Sequence, residues 1–441
     1  MRPVYAGLIG FGTVGSGVVR LLLEHQERFQ RRLGCPLILK KIADIDLTRP
    51  RPVAVPPEIL TTRAQEIIDD PEIDIVIELM GGTTAAHDLV RAAIARGKHV
   101  VTANKALLAL HGNELFQTAA AANVAIGYEA SVCGGIPIIL TLRQGLAANA
   151  IHEIFGILNG TSNYILTKMA ATGASFQEAL QEAQAQGFAE ADPTLDVEGL
   201  DAAHKLALLM ALAYGAQIDF DSIHVEGISR LEPLDIQFAR EFGYQIKLLA
   251  ITRDDGRQVE ARVHPTMIPQ DHIMASVLGV HNAVYITGDA VGSILLYGRG
   301  AGMMPTASAV AADLIELAYA VRNGRQGWIP ALGVPDAASK RRAVKPLAEI
   351  VTNYYIRFAA QDRPGVLSKI SGILAQYDIS IAAVIQKGRG QRGSVPIVMI
   401  THEAREANIQ KALAEIQQLE VVTEAATLIR IEDPNLDAAQ I

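Results

Sequence analysis

Asp201 and Lys205 stand i, i+4 apart at the start of a segment whose later turns, Leu206 to Tyr214, are almost wholly apolar. A helix of that composition is buried, so the two side chains share one face and are drawn toward a low-dielectric site. A lysine held there has its ammonium disfavoured, which suits it to pass a proton near neutral pH. A surface ion pair, worth under about 1 kcal/mol, is the bland alternative, but the apolar run leaves little solvated face for it. The stretch Gly187 to Lys205 is also rich in acids, and Glu190 and Asp196 are placed to meet a substrate ammonium.

A second pattern is Gly10-Phe11-Gly12-Thr13-Val14-Gly15, directly behind the apolar run Val4 to Ile9 and ahead of a helical pattern. A dinucleotide pyrophosphate needs this order: Gly10 for the tight turn, Gly12 for close backbone approach, Gly15 for helix–strand packing, and free N–H groups at the helix start. A second apolar strand ends in Asp44, at the distance where an acid meets the adenosine ribose. That acid favours a ribose diol and so NAD, whereas Lys40, Lys41, Arg49 and Arg51 are close enough in sequence to meet the 2′-phosphate of NADP. Thr102-Ala103-Asn104-Lys105 follows a third such strand, where a lysine binds a substrate carboxylate or lies against the nicotinamide, or is simply a surface lysine. Gly302, ahead of a further helix, joins Thr102 in the expected cofactor site.

Two further clusters are open to more than one reading. In Tyr128 to Pro137, Glu129 and the paired glycines Gly134 and Gly135 can turn oxygens inward for a hard cation, but a domain-crossing turn explains the same residues. In Gly156 to Tyr164, Gly160 and Thr161 open a helix whose free N–H groups can hold a carboxylate, and Ser162 reads equally well as a structural cap.

The elements that must position these groups follow from periodicity. Strands at 4–9, 36–43, 73–79, 99–102 and 124–128 alternate with helices at 13–33, 84–96 and 112–122, which implies a doubly wound parallel sheet of Rossmann type over residues 1–130. A helix at 305–322 is expected to return to it, so that 299–340 completes the domain. Residues 131–298 read as an α+β catalytic and dimerisation domain, with helices at 176–186 and 196–214. Residues 341–352 read as a linker, and a basic cluster (Lys340, Arg341, Arg342) beside it is too short for a nucleic-acid patch. Residues 353–432 spell βαββαβ, a ferredoxin-like order expected to fold as a separate unit.

Composition narrows the class. The 441 residues suffice for about three domains, and 50% hydrophobic with 20% charged residues describes a globular protein. A formal charge of -8 argues against nucleic acid as a partner. Two cysteines make no disulfide framework, no leader precedes Val4, and no uninterrupted apolar stretch reaches the ~20 residues that cross a bilayer, so a cytoplasmic location away from membranes is expected.

Taken together, Gly10 to Gly15, Thr102 to Lys105, Tyr128 to Val132, Gly156 to Thr161, Gly187 to Lys205 and Asp362-Arg363-Pro364-Gly365-Val366-Leu367 resemble homoserine dehydrogenases that carry a C-terminal ACT domain. The resemblance implies NAD(P)H-dependent, reversible reduction of aspartate 4-semialdehyde to homoserine, a step towards threonine and methionine. It implies that Lys205 donates and accepts the proton, that Lys105 lies by nicotinamide and substrate, that Glu190 binds the substrate amino group, and that Asp196 and Asp201 support substrate and lysine. It also implies a monovalent cation, usually sodium, held by oxygens of Glu129, Val132, Gly134 and Ile136, mostly main-chain carbonyls. The ACT-like unit then implies a homo-oligomer, dimer or tetramer, with an amino-acid effector, threonine by analogy, or a dimerisation module without ligand. Two rivals are a dehydrogenase using Cys133 as covalent nucleophile and a sensor of nucleotide and amino acid without catalysis.

Overall fold

The computed structural model describes residues 2–324, 329–335, 341–386 and 394–433. Two compact units emerge, the first formed by 1–160, 200–223 and 280–342 and the second by 161–199, 224–279 and 343–441. Residues 131–160, 200–223 and 280–298 fall in the first unit together with the nucleotide-binding strands.

In the first unit, β1 (Val4–Ile9), β2 (Leu37–Ala43), β3 (Leu60–Thr61), β4 (Ile75–Glu78), β5 (His99–Thr102) and β6 (Ile126–Gly127) form an all-parallel sheet in the order β3-β2-β1-β4-β5-β6. Strand order reverses between β1 and β4, the switch point at which such sheets bind ligands. Its apolar side chains bury with Val18, Val19 and Leu22 of the Thr13–Glu24 helix and with Val310, Leu314 and Leu317 of the Met303–Asn323 helix, so the late helix does return to this sheet. Met303–Asn323 is long and apolar enough to cross a membrane, but 56% of its apolar window is buried inside the protein, as in a core helix. The single helix expected at 13–33 breaks at His25, and the second piece, Gln26–Leu33, buries Phe29 and Leu33. The helix expected at 112–122 begins earlier, at Lys105, because the Asn104 side chain accepts from Leu107 N at 3.1 Å and caps two more turns. An antiparallel ladder of Ile151–Ile157, His281–Gly288 and Gly292–Arg299 and the buried helix Leu200–Tyr214 complete the unit.

In the second unit, Tyr244–Asp254 and Val259–Pro269 form a long hairpin, and two helices, Gly160–Thr172 and Phe176–Ala185, precede the acidic loop. A helix at Pro233–Glu241 has no counterpart in the sequence-based reading. The C-terminal segment is the expected βαββαβ: strands Val351–Gln361, Ile381–Gln386, Ser394–Thr401 and Thr427–Ile431 with helices Val366–Gln376 and Glu406–Ile416. Its core is Tyr354, Ile356, Phe358, Ile370, Leu374, Ile397, Met399 and Ile409. The glycine-rich loop at 388–393 lies outside the described residues.

The C-terminal segment, with its own core, is joined to the hairpin sheet of the second unit. Thr427–Ile431 continues the hairpin sheet, with Arg430 opposite Thr266 and Ile431 opposite Met267. Buried charges tie the same edge: Arg430 grips both oxygens of Glu406 at 2.7 and 2.8 Å and both of Glu226 at 3.0 and 3.1 Å. Arg262 meets Glu432 at 2.6 Å, and Arg357 makes a two-pronged pair with Asp235 at 2.6 and 3.0 Å. Guanidinium groups this buried persist only with carboxylates to match them.

Candidate active site

The glycine turn has the geometry its sequence requires. Gly10 has φ +100°, and a Cβ there would lie 2.5 Å from Leu79 O; a Cβ at Gly15 would lie 2.2 Å from Gly10 O; at Gly12 the space is open. The Thr13–Glu24 helix begins at Gly12 with no side-chain cap, so its first N–H groups face an unobstructed approach, which suits a pyrophosphate. The Phe11 N–H donates to Asp44 Oδ2 at 2.6 Å, and its ring is buried. Asp44 is thereby a brace for the turn, and its other oxygen accepts from Asp46 N at 3.0 Å.

Of the four basic residues near the ribose position, Lys40 pairs with Asp70 and Glu72 and Lys41 with Glu66, which removes both. Arg51 is at the turn: its Nε donates to Phe11 O at 2.8 Å, its guanidinium lies 4.7 Å from the centre of the Phe11 ring, and Asp44 Oδ1 is 3.5 Å away. Arg49 contributes its carbonyl, which accepts from Arg51.

The end of β5 is built from a buried relay. Thr102 Oγ1 donates to Glu78 Oε2 at 2.6 Å and accepts from Asn104 N at 2.9 Å, so the hydroxyl shapes the loop. Burial raises the Glu78 carboxyl above its usual range, against the hydrogen bonds from Thr102 and Met80 N. Asn104 Nδ2 donates to Gly82 O at 2.6 Å, joining the ends of β4 and β5.

Lys105, first residue of its helix, then reaches Asp201 Oδ1 at 2.9 Å. Lys205 Nζ donates to Asp201 Oδ2 at 2.6 Å and to Leu158 O at 2.6 Å. Asn159 Nδ2 also donates to Asp201 Oδ2 at 2.8 Å, and Asn282 Nδ2 donates to Leu158 O at 2.8 Å. Burial alone would raise the Asp201 carboxyl; the charges of Lys205 and Lys105 and the hydrogen bonds outweigh it and hold the group well below the usual carboxylate range. One carboxylate thus serves two lysines, the buried Lys205 and the Lys105 side chain, which is 41% exposed. The arrangement is a buried ammonium held by a carboxylate, beside a second, partly exposed cation.

The sequence pointed to Asp201, Lys205 and Lys105 but not to Glu78, Asn159 or Asn282. Glu78 carried a signal as an acid closing an apolar strand, and Asn159 as a member of the Gly156 to Thr161 motif, whereas Asn282 carried none.

The other expected residues are placed as follows. Gly160 starts its helix, and a Cβ there would meet Val280 O at 2.7 Å. Thr161, Glu190 and Asp196 belong to the second unit. Thr161 Oγ1 donates to Phe188 O at 2.7 Å, Glu190 is exposed, and Asp196 O accepts from Ser162 Oγ at 2.8 Å. Gly302, with φ +119°, precedes the Met303–Asn323 helix, which no side chain caps.

At the expected cation loop, both Glu129 oxygens accept backbone N–H groups, from Ile139 and Leu140 at 2.8 Å each, and Glu129 N donates to Asp313. Its carboxylate is therefore a local cap. Burial raises the Glu129 and Asp313 carboxyls. A Cβ at Gly134 would lie 2.5 Å from Gly300 O, and one at Gly300 would strike the Asn282 side chain, whose buried Oδ1 has no hydrogen-bond partner among the described residues. Cys133 is buried, with burial pushing its thiol up and Asn282 Nδ2 3.6 Å away as its neighbour. A thiol held protonated makes a poor nucleophile, which counts against the cysteine-dependent rival.

The family descriptions that match the chain are "Homoserine dehydrogenase, NAD binding domain" over residues 10–129, "Homoserine dehydrogenase" over 137–315 and "ACT domain" over 354–421. The homoserine dehydrogenase of Neisseria gonorrhoeae is 46% identical, covering 98% of this chain and 99% of that protein. A crystal structure of the enzyme from Thiobacillus denitrificans superposes with a TM-score of 0.92 at 45% identity, covering 98% and 99% of the two chains. A hyperthermophilic archaeal homoserine dehydrogenase in complex with NADPH matches with a TM-score of 0.61 at 27% identity, over 72% of this chain and 98% of its own.

Proposed function

Since this chain belongs to the homoserine dehydrogenase family, NAD(P)-dependent oxidoreductases that interconvert aspartate 4-semialdehyde and homoserine, we propose that Lys205, Asp201 and Lys105 carry its proton chemistry. Bound NAD(P)H supplies the hydride that reaches the aldehyde carbon. Lys205 protonates the developing alkoxide, Asp201 keeps the amine charged and aimed, and Lys105 adds positive potential that grows in value as negative charge appears. In the reverse direction Lys205 receives the hydroxyl proton. Glu190 and Asp196 bind the substrate ammonium, and Gly160 and Thr161 its carboxylate. The observation that carries the reading is the buried carboxylate of Asp201 between two lysines, in the same unit as the glycine turn. Following NADPH oxidation by absorbance tests it: no semialdehyde-dependent rate from the full chain would refute it.

The cofactor's adenosine end is where Asp44 and Arg51 lie, and Arg51 meets the 2′-phosphate of NADPH in this reading. Arg51→Ala is expected to lower kcat/KM for NADPH about tenfold, the value of one charged hydrogen bond, with NADH little affected. Equal losses with both cofactors would remove Arg51 from the discrimination.

A monovalent cation, sodium in this reading, is held by oxygens of Glu129, Val132, Gly134 and Ile136, mostly main-chain carbonyls, and orients the loop; the unpartnered, buried Asn282 Oδ1 supports it. Comparing rates in sodium and tetramethylammonium chloride checks it; identical rates tell against a functional ion. The ACT domain is the regulatory part, and threonine is the proposed effector, received where Gly365, at φ +90°, opens the Val366–Gln376 helix without a side-chain cap. Threonine titrated against activity should inhibit the wild type and spare Gly365→Asp; inhibition of neither defeats the idea. A cytoplasmic dimer or tetramer completes this reading.

A further inference from the structure

Sequence spacing shows no zinc-binding pattern, yet folding gathers His87, His111 and Glu114, whose ligand atoms all lie within 4.8 Å of one another. His87 comes from the Thr84–Ala95 helix, and His111 and Glu114, one turn apart, from the Lys105–Ala121 helix that packs against it. The imidazole centroids are 4.5 Å apart, and His87 Nε2 is 3.3 Å from Glu114 Oε2. That separation is long for a hydrogen bond but equals the ~3.4 Å edge of a tetrahedron with metal–ligand bonds of about 2.1 Å.

The surroundings also suit an ion. Asp88 Oδ1 lies 3.6 Å from His87 Nδ1, a nearby charge short of a hydrogen bond, and Arg91 Nε holds the other Glu114 oxygen at 3.3 Å. The Glu114 side chain is 48% exposed, which leaves a fourth position to water.

We propose that His87, His111 and Glu114 form a binding site for a late first-row divalent cation of the zinc type, outside the catalytic centre. Two imidazoles and one carboxylate select such ions over sodium or magnesium, which prefer oxygen alone. The ion would clamp two helices whose starts, at Thr84 and Lys105, follow the Gly81-Gly82 loop and the Asn104 cap.

The test is calorimetric titration of zinc into tag-free, full-length protein, with thermal melts alongside. Wild type should bind zinc saturably at one ion per chain and melt higher with it. His87→Gln and His111→Gln should each bind at least about tenfold more weakly, lose the zinc-dependent rise, and keep wild-type activity in chelator-treated buffer. Absence of saturable binding in the wild type, or equal binding and equal melting shifts in both variants, overturns the site.

Discussion

Lys205→Ala is expected to reduce turnover by on the order of 10³-fold while NADPH affinity stays within about twofold, since positioned general acids contribute roughly 10²–10⁴. The amine removed donates to Asp201 and Leu158 O. Lys205→Arg separates two explanations. It keeps the cation for Asp201, but a guanidinium does not release its proton near neutral pH. Recovery of the fold without recovery of turnover would assign the loss to proton transfer. Single-turnover rates in rapid mixing, with cofactor affinity from fluorescence, give both readings; near-wild-type turnover in Lys205→Ala would remove the lysine from the mechanism.

Arg430→Leu is expected to cost the second unit about 3–5 kcal/mol, the usual penalty for breaking a buried ion pair by removing one partner. Glu406, only 1% exposed, would keep a buried charge with no cation, whereas Glu226, 38% exposed at its side chain, regains water and adds little. Calorimetry should show the melting transition lowered by roughly 10 °C, and Arg430→Leu combined with Glu406→Gln should recover part of it. A single variant melting like wild type would show that the pair adds nothing.

Acid should act on the same cluster. Burial would raise the Glu432 carboxyl, but Arg262 and Arg253 outweigh it and bring it down to about 2; Glu226 and Glu406 are lowered too, again against burial. Groups lowered by folding stabilise fully above their unfolded values, near pH 4.5, and lose that contribution as pH falls towards 2. Wild type should therefore lose melting temperature steeply across that window.

What the amino-acid order determined by itself was local and periodic. Strand–glycine–helix succession dictated the β1 turn, since Gly10 and Gly15 sit where any Cβ would strike backbone, and i, i+4 spacing placed Asp201 and Lys205 on one buried face. The βαββαβ order of the last segment followed from alternation alone. What depended on residues distant in the chain was decided only by the tertiary structure. Lys105 meets Asp201 across ninety-six positions only because Asn104 starts a helix that packs on another. Arg51 rather than Lys40 or Lys41 reaches the turn because partners on neighbouring elements take the lysines. Arg430, Arg262 and Arg357 look solvated as isolated strand residues, yet they are buried because their carboxylates come from other segments. Charge pairing and burial are set by neighbours in space, so periodicity along one strand carries no record of them.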